Sequence, residues 1–268
     1  MKKGAIAAEA IGLIPAAGYS RRISPIPCSK EIYPVGFSRN SSGDDRPKAV
    51  CLYLIESMKR AGVTKIILVI RKGKLDIPVY LGDGRRFGVE LAYRVMDDSP
   101  SPSHALDHAY PFVKDRVVAS GFPDIMFQPD DAFGRLMACL QRTQADVVFG
   151  VYPIKKSVKD DRVVLSGTGR VRNFAVSTSG AKDPHTWLMA VWGPVFTEFL
   201  HQFLQKQGST SSTATAELTV GHALEPAFRA GLHMQGVLFE RGRFLDIGVS
   251  HNLRKAVQQL SRKDHLVM

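Results

Sequence analysis

The sequence predicts an α/β protein built on a doubly wound, mostly parallel sheet with small antiparallel additions. Three observations predict it. Short apolar runs of strand length alternate with amphipathic segments of helix length through about residue 150. Two of those runs, residues 65–70 (KIILVI) and 146–152 (DVVFGVY), carry almost no polar residue, as strands covered on both faces do. From residue 162 onward the texture changes to shorter strands: RVVLS, RVRNFAV and TWLMAVWG.

The elements follow in order. Residues 11–14 are a buried strand that ends in the small-residue turn Ala16-Ala17-Gly18. Residues 38–46 (SRNSSGDDR) read as a polar loop. Residues 48–61 set Val50, Leu54 and Met58 at helical spacing, and Gly62 ends that helix. After the 65–70 strand, Leu81-Gly82-Asp83-Gly84 is a structural turn, and residues 89–95 alternate as a strand does. A loop at 99–103 precedes a helix over 103–113, and residues 117–120 form the strand that leads to Asp124. Residues 133–143 are helical, with Gln128-Pro129-Asp130-Asp131 at the N-terminus, where carboxylates are favoured. Later come a helix at 194–207, a polar loop at 208–215, a helix at 217–230 and a strand at 234–239. A turn at 245–248 and a helix at 252–260 close the chain. Ligands of such sheets bind beyond the carboxyl ends of the strands. The first loop and the turns at 121–124 and 245–248 are expected there. Trp187 and Trp192 sit in an alternating strand and are expected in the core.

A chain of 268 residues suits one large α/β domain or two small ones. Its 36 Lys and Arg against 25 Asp and Glu give a formal charge of +11, which fits a phosphate-bearing partner. The basic residues are scattered, with no basic tract or aromatic-basic repeat, so nucleic acid is not the expected partner. Cys28, Cys51 and Cys139 have no paired spacing and read as reduced thiols, with neither a disulfide framework nor a zinc site. The first residues loosely resemble a secretory signal, but Glu9 interrupts the apolar run and a first strand explains them better. No run is long enough to span a membrane, and the cytoplasm is the expected location.

The stretch from Leu13 to Gly36 carries the most chemistry. Small residues at Ala16-Ala17-Gly18 let a ligand approach the backbone, whose N–H groups can point at phosphate oxygens. Arg21, Arg22 and Lys30 follow, and fixed cations there can neutralise a triphosphate.

These residues resemble the sugar nucleotidyltransferases, nearest the glucose-1-phosphate thymidylyl- and uridylyltransferase branch. The matching pieces are Ala17-Gly18, Arg22-Ile23-Ser24-Pro25, Ser29-Lys30, Pro34 and Pro47-Lys48. Ala61-Gly62 before the IILVI strand, Gly82-Asp83-Gly84-Arg85-Arg86-Phe87-Gly88 and Ala105-Leu106-Asp107-His108-Ala109 continue the pattern, in order. The AAGxxRR form of the loop also resembles methylerythritol-phosphate cytidylyltransferases. The resemblance implies a Rossmann-like fold of the nucleotide-diphospho-sugar transferase type in one domain, residues 1–268. Its nucleotide-binding part covers about 1–150 and its sugar-phosphate part about 151–268. It implies Mg2+ held by Asp124 and Asp246, with Arg22 and Lys30 as catalytic cations. It also implies nucleotide contacts at Ala16, Ala17, Gly18, Met96, Ala105 and Leu106, and acceptor contacts at Arg172 and Lys182. The expected substrates are a nucleoside triphosphate, UTP or dTTP first, and a sugar phosphate. No nucleic acid or membrane partner is expected, and the later strands are candidates for pairing subunits in a homo-oligomer.

Three departures concentrate on the substrate side. Ser20 stands where the family has the second glycine of its first loop. Ala105 replaces a glycine and Met96 a glutamine in the base-contacting segments, and methionine lacks a strong hydrogen-bonding group. The Glu-Lys-Pro segment is missing; Arg172-Asn173-Phe174 and Lys182-Asp183-Pro184 stand near its place, with Lys182 either a phosphate clamp or a surface lysine. An altered acceptor is the first expectation. A catalytically silent relative that binds nucleotide or nucleotide-sugar and regulates a partner is the alternative.

Overall fold

The computed structural model describes residues 9–39, 42–155, 160–178, 184–210 and 219–260. The chain opens with β1 (Ile11–Pro15), a hairpin of β2 (Pro34–Arg39) and β3 (Asp45–Ala49), and helix α1 (Cys51–Arg60). Next come β4 (Lys65–Arg71), α2 (Asp76–Leu81), β5 (Glu90–Met96), α3 (Pro102–Asp107), α4 (Tyr110–Val113), β6 (Val118–Gly121) and β7 (Ile125–Gln128). Helix α5 (Ala132–Thr143) leads to β8 (Val147–Pro153), β9 (Asp160–Leu165), β10 (Val171–Thr178) and β11 (His185–Trp192). Helices α6 (Pro194–Thr210) and α7 (Gly221–Arg229), strands β12 (Met234–Leu238) and β13 (Arg243–Asp246), and helix α8 (Ser250–Leu260) complete it.

Seven strands form one sheet in the order β12-β8-β11-β6-β1-β4-β5. Every neighbour contact in it is parallel except those of β11, which runs against β6 and β8. Three small antiparallel pairs, β2–β3, β7–β13 and β9–β10, lie outside it. The apolar runs sit inside because both faces are covered. On one face Leu54, Ile55 and Met58 of α1 pack with Phe133 and Leu136 of α5. On the other, Leu106 of α3 packs with Phe196 and Leu200 of α6 and Leu224 of α7. Trp187 and Trp192 are buried in this second core, as expected. Among the described residues no helix is long and apolar enough to cross a membrane.

Several boundaries correct the sequence reading. Residues 38–46 are not a simple loop: Arg39 pairs with Asp45 and Ser38 with Arg46 in the β2–β3 hairpin. Its outer residues are polar and exposed, so no apolar alternation marks it. Lys48 and Ala49 belong to β3, and α1 starts at Cys51. The helix expected over 103–113 is two short ones, the first starting at Pro102, where the Ser101 hydroxyl accepts the His104 N–H as a cap. Helix α2 and strand β7 carried no periodic signal long enough to read. Residues 208–210 finish α6, while 211–218 lie outside the described residues, so the loop expected there is only partly covered. Residues 245 and 246 are strand rather than turn.

Candidate active site

The site forms where β1 and β6 end. Leaving β1, the Ala16 N–H donates to the Val69 carbonyl at 2.8 Å, so the loop begins tied to β4. Ala16 and Ala17 are buried, and Gly18 is exposed. Ser20 holds φ +58°, the left-handed conformation that glycine adopts most freely. The Ser250 hydroxyl donates to the Arg22 carbonyl at 2.9 Å and fastens the loop to the start of α8. A single 3-10 turn at Lys30–Ile32 then directs Lys30 inward.

Asp124 follows β6 by three residues. Its convergence with Asp246, far away in the chain, is a matter of register. In the antiparallel β7–β13 pair Asp246 stands opposite Ile125, and the Ile247 N–H donates to the Asp124 carbonyl at 3.0 Å. The two carboxylates and Arg22 meet over Gly248. A Cβ built on that glycine would stand 2.9 Å from Asp124 Oδ2, 2.9 Å from Asp246 Oδ1 and 3.3 Å from Arg22 Nη2. Lys30 Nζ donates to Asp124 Oδ2 at 2.6 Å, with the side chains 17% and 10% exposed. Arg22 Nη2 lies 3.6 Å from Asp246 Oδ2 and remains 67% exposed.

The two carboxylates are electrostatically unlike. Burial pushes Asp124 up, but Lys30's charge and hydrogen bond, with a backbone hydrogen bond, together hold it below its ordinary value. Asp246 is raised by burial and by the charge of Asp124, with Arg22 opposing. Burial lowers Lys30, yet Asp124 and Glu31 outweigh it and the ammonium is held protonated. Asp160 is pushed up to about 6, mainly by burial, with Asp246 contributing. Asp124 and Asp246 thus form an acidic pair, each faced by a cation, Lys30 and Arg22.

Asp246 has a stability signature. Its folded value lies above the ordinary 3.8, so its contribution is fully present below pH 3.8 and is lost as pH rises through the folded value. Asn cannot ionise and keeps that contribution. Asp246→Asn is therefore expected to be more stable than wild type at pH 7 without added metal, and to gain nothing below pH 3.8. Paired thermal melts at the two pH values check this; a loss of stability at pH 7 contradicts it.

Gly248 gives a second expectation. Its added methyl would meet both carboxylate ends closer than a real Cβ tolerates. Gly248→Ala should force the pair apart, at a stability cost of about 1 kcal/mol. The check is divalent-cation affinity by calorimetry, expected to fall well below the wild-type value. Unchanged affinity contradicts a shared site.

Among the described residues no group of three or more His, Cys, Asp or Glu is placed to ligate a metal. The available donors are two hard carboxylates. They suit Mg2+, which keeps several waters and takes one or two carboxylates beside substrate phosphates.

Other expected contacts are less concentrated. Met96 ends β5, and Ala105 and Leu106 lie on α3; all three are buried in the same apolar cluster as Ala17. Leu106 also lines an apolar cavity with Pro15, Phe122 and Trp187. Arg172 is exposed on β10, and Lys182 lies outside the described residues. The sequence reading missed the residues behind Lys30. Lys74 forms a buried ion pair with Glu31, and Asp76 binds Ser29. The one available signal was position: residues 71–76 (RKGKLD) begin at the carboxyl end of β4, on the ligand edge of the sheet.

Two solved structures share this architecture over nearly their whole length. One, assigned as a glucose-1-phosphate thymidylyltransferase from Bacillus anthracis and solved with sucrose, superposes with a TM-score of 0.77 at 17% identity. The superposition covers 97% of this chain and 98% of that one. The other, UDP-glucose pyrophosphorylase complexed with UDP-glucose, gives 0.73 at 15% identity over 95% and 99% of the two chains. The fold is that of the sugar nucleotidyltransferases. The mostly parallel sheet with small antiparallel additions, expected from the sequence, is thus this sugar nucleotidyltransferase fold. A curated relative, the low-salt glycan biosynthesis nucleotidyltransferase Agl11 of Haloferax volcanii, is 30% identical over 154 residues. That match takes in 52% of this chain and 40% of Agl11, so the chain spans well under half the length of that relative. No family model matches the chain.

Proposed function

We propose that this chain is a Mg2+-dependent nucleotidyltransferase. It would transfer a nucleoside monophosphate from a nucleoside triphosphate to a sugar 1-phosphate, or a related alcohol phosphate, and release pyrophosphate. The convergence of Asp124 and Asp246 over Gly248, faced by Lys30 and Arg22, carries this reading. The names of Agl11 and of the two solved neighbours support it. UTP and dTTP are the first nucleotides to test. The three cysteines are free, which suits the reducing cytoplasm.

In this mechanism an acceptor phosphate oxygen attacks the α-phosphorus. The bond from that phosphorus to the bridging oxygen breaks, and pyrophosphate leaves. No side chain need act as a nucleophile, so the work lies in placing two anions that repel each other. Asp124 and Asp246 would hold Mg2+, which supplies charge neutralisation and a template for the phosphates. Lys30 is a point charge for the α-phosphate. It rests on Asp124 with its ammonium already desolvated, so little reorganisation is required. Arg22, mostly exposed on the loop, can fork onto the leaving pyrophosphate oxygens. The buried apolar surroundings of Met96 and Ala105 favour a reading of the base by shape and backbone rather than by those side chains.

The test follows pyrophosphate release with each nucleoside triphosphate, Mg2+ and a panel of sugar 1-phosphates and alcohol phosphates. Release that needs both an acceptor and a divalent cation supports the proposal. Tight nucleotide binding with no turnover across the panel would instead indicate the silent relative.

A further inference from the structure

Behind Lys30 lies a buried ion pair that the proposed transfer does not use. Lys74 Nζ donates to both carboxylate oxygens of Glu31, at 2.6 and 2.7 Å, with the side chains 3% and 1% exposed. Two residues further on, Asp76 accepts from the Ser29 N–H at 2.6 Å and from the Ser29 hydroxyl at 2.7 Å. Ser29 and Glu31 are the immediate neighbours of Lys30. One segment therefore grips the catalytic turn on both sides of the lysine.

The same segment reaches further. The Arg71 guanidinium lies 4.3 Å from the centroid of the Tyr19 ring in the first loop. Lys72 pairs with Asp97 at 2.7 Å, just after β5, and the Tyr19 hydroxyl contacts Asp98. Residues 71–76 thus touch the first loop at three points and the base-side segment at one.

A buried ion pair is a weak source of net stability. Removing two charges from water offsets much of their attraction, and apolar residues of similar shape are often as stable. Burial drives Glu31 up and Lys74 down, each toward its neutral form, with their mutual attraction opposing. What such a pair supplies is a fixed direction. Lys30 has a long flexible stem, and its ammonium is useful only where the α-phosphate will lie. Across Lys74, Glu31, Lys30 and Asp124 the charges alternate in sign, so each link limits the movement of the next.

We propose that Lys74 and Asp76 are positioning residues that clamp the turn at Ser29 and Glu31 and so hold Lys30 on the Asp124 side of the site. The task given to Lys30 rests on the nucleotidyl-transfer reading, but the clamp is measurable without turnover.

The experiment compares wild type with Glu31→Leu/Lys74→Met, which keeps apolar bulk, and with Asp76→Asn. Lysine acylation is mapped by mass spectrometry, with exposed Lys114 as the internal control, beside thermal melts and steady-state kinetics. The variants are expected to melt cooperatively and to acylate Lys30 several-fold faster, with Lys114 unchanged. kcat should fall about tenfold to a hundredfold while the KM for nucleotide stays within about threefold. A merely structural pair would leave Lys30 labelling unchanged in the folded variants, and that result overturns the proposal. So does an unchanged kcat in an enzyme whose Lys30 has been freed. Should the double variant fail to fold, Asp76→Asn decides by the same measurements. If wild type turns over nothing but Lys30 is still released, the clamp stands and the transferase reading fails.

Discussion

Asp124→Asn is expected to lower kcat by about a thousandfold or more and to destabilise the protein at neutral pH. Both effects come from one carboxylate with two attachments. Asp124 is the carboxylate that Lys30 holds ionised, and it meets Asp246 over Gly248. Removing its charge leaves a nearly buried lysine without its counterion, and breaking such a pair costs about 3 kcal/mol. Because the folded value lies below 3.8, the contribution of Asp124 is present above pH 3.8 and lost as pH falls through the folded value. The difference in melting temperature between wild type and variant should therefore shrink in acid. Asp246→Asn behaves oppositely, gaining stability at neutral pH while also losing turnover. Two neighbouring aspartates with opposite effects on stability and the same effect on catalysis identify a functional pair. Equal destabilisation by both substitutions, with turnover retained, contradicts it.

Lys30→Ala is expected to reduce kcat by about two to three orders of magnitude while changing the affinity for acceptor phosphate little. Charge on the phosphates is redistributed most in the transition state, and a fixed, desolvated ammonium acts most strongly there. Pre-steady-state kinetics separate binding from chemistry. Equal losses in both would show that Lys30 only binds. The double variant Lys30→Ala/Asp124→Asn should lose much less than the product of the single losses, since each single change strands the other group.

Much of the fold was legible in the chain. The runs KIILVI and DVVFGVY became sheet strands because helices cover both faces, so uninterrupted apolar sequence was the right signal. Asp124 and Asp246 were legible only through the order of the motifs around them. Nothing local in GFPD or LDIG shows that β7 and β13 pair and bring them together. The β2–β3 hairpin escaped notice because its exposed residues are held by backbone pairing, which leaves no periodic mark. Glu31 and Lys74 escaped for the opposite reason. A charged residue in sequence reads as solvated surface, and only tertiary contact reveals a pair buried to 1% and 3% exposure.

The most direct measurement is a crystal structure with Mn2+ and a nucleoside triphosphate, the metal located by its anomalous signal. The account predicts a peak bridged by Asp124 and Asp246 that also touches a phosphate oxygen, with the peak lost in Asp124→Asn. A peak bound by neither aspartate, or a triphosphate seated away from Lys30 and Arg22, contradicts it.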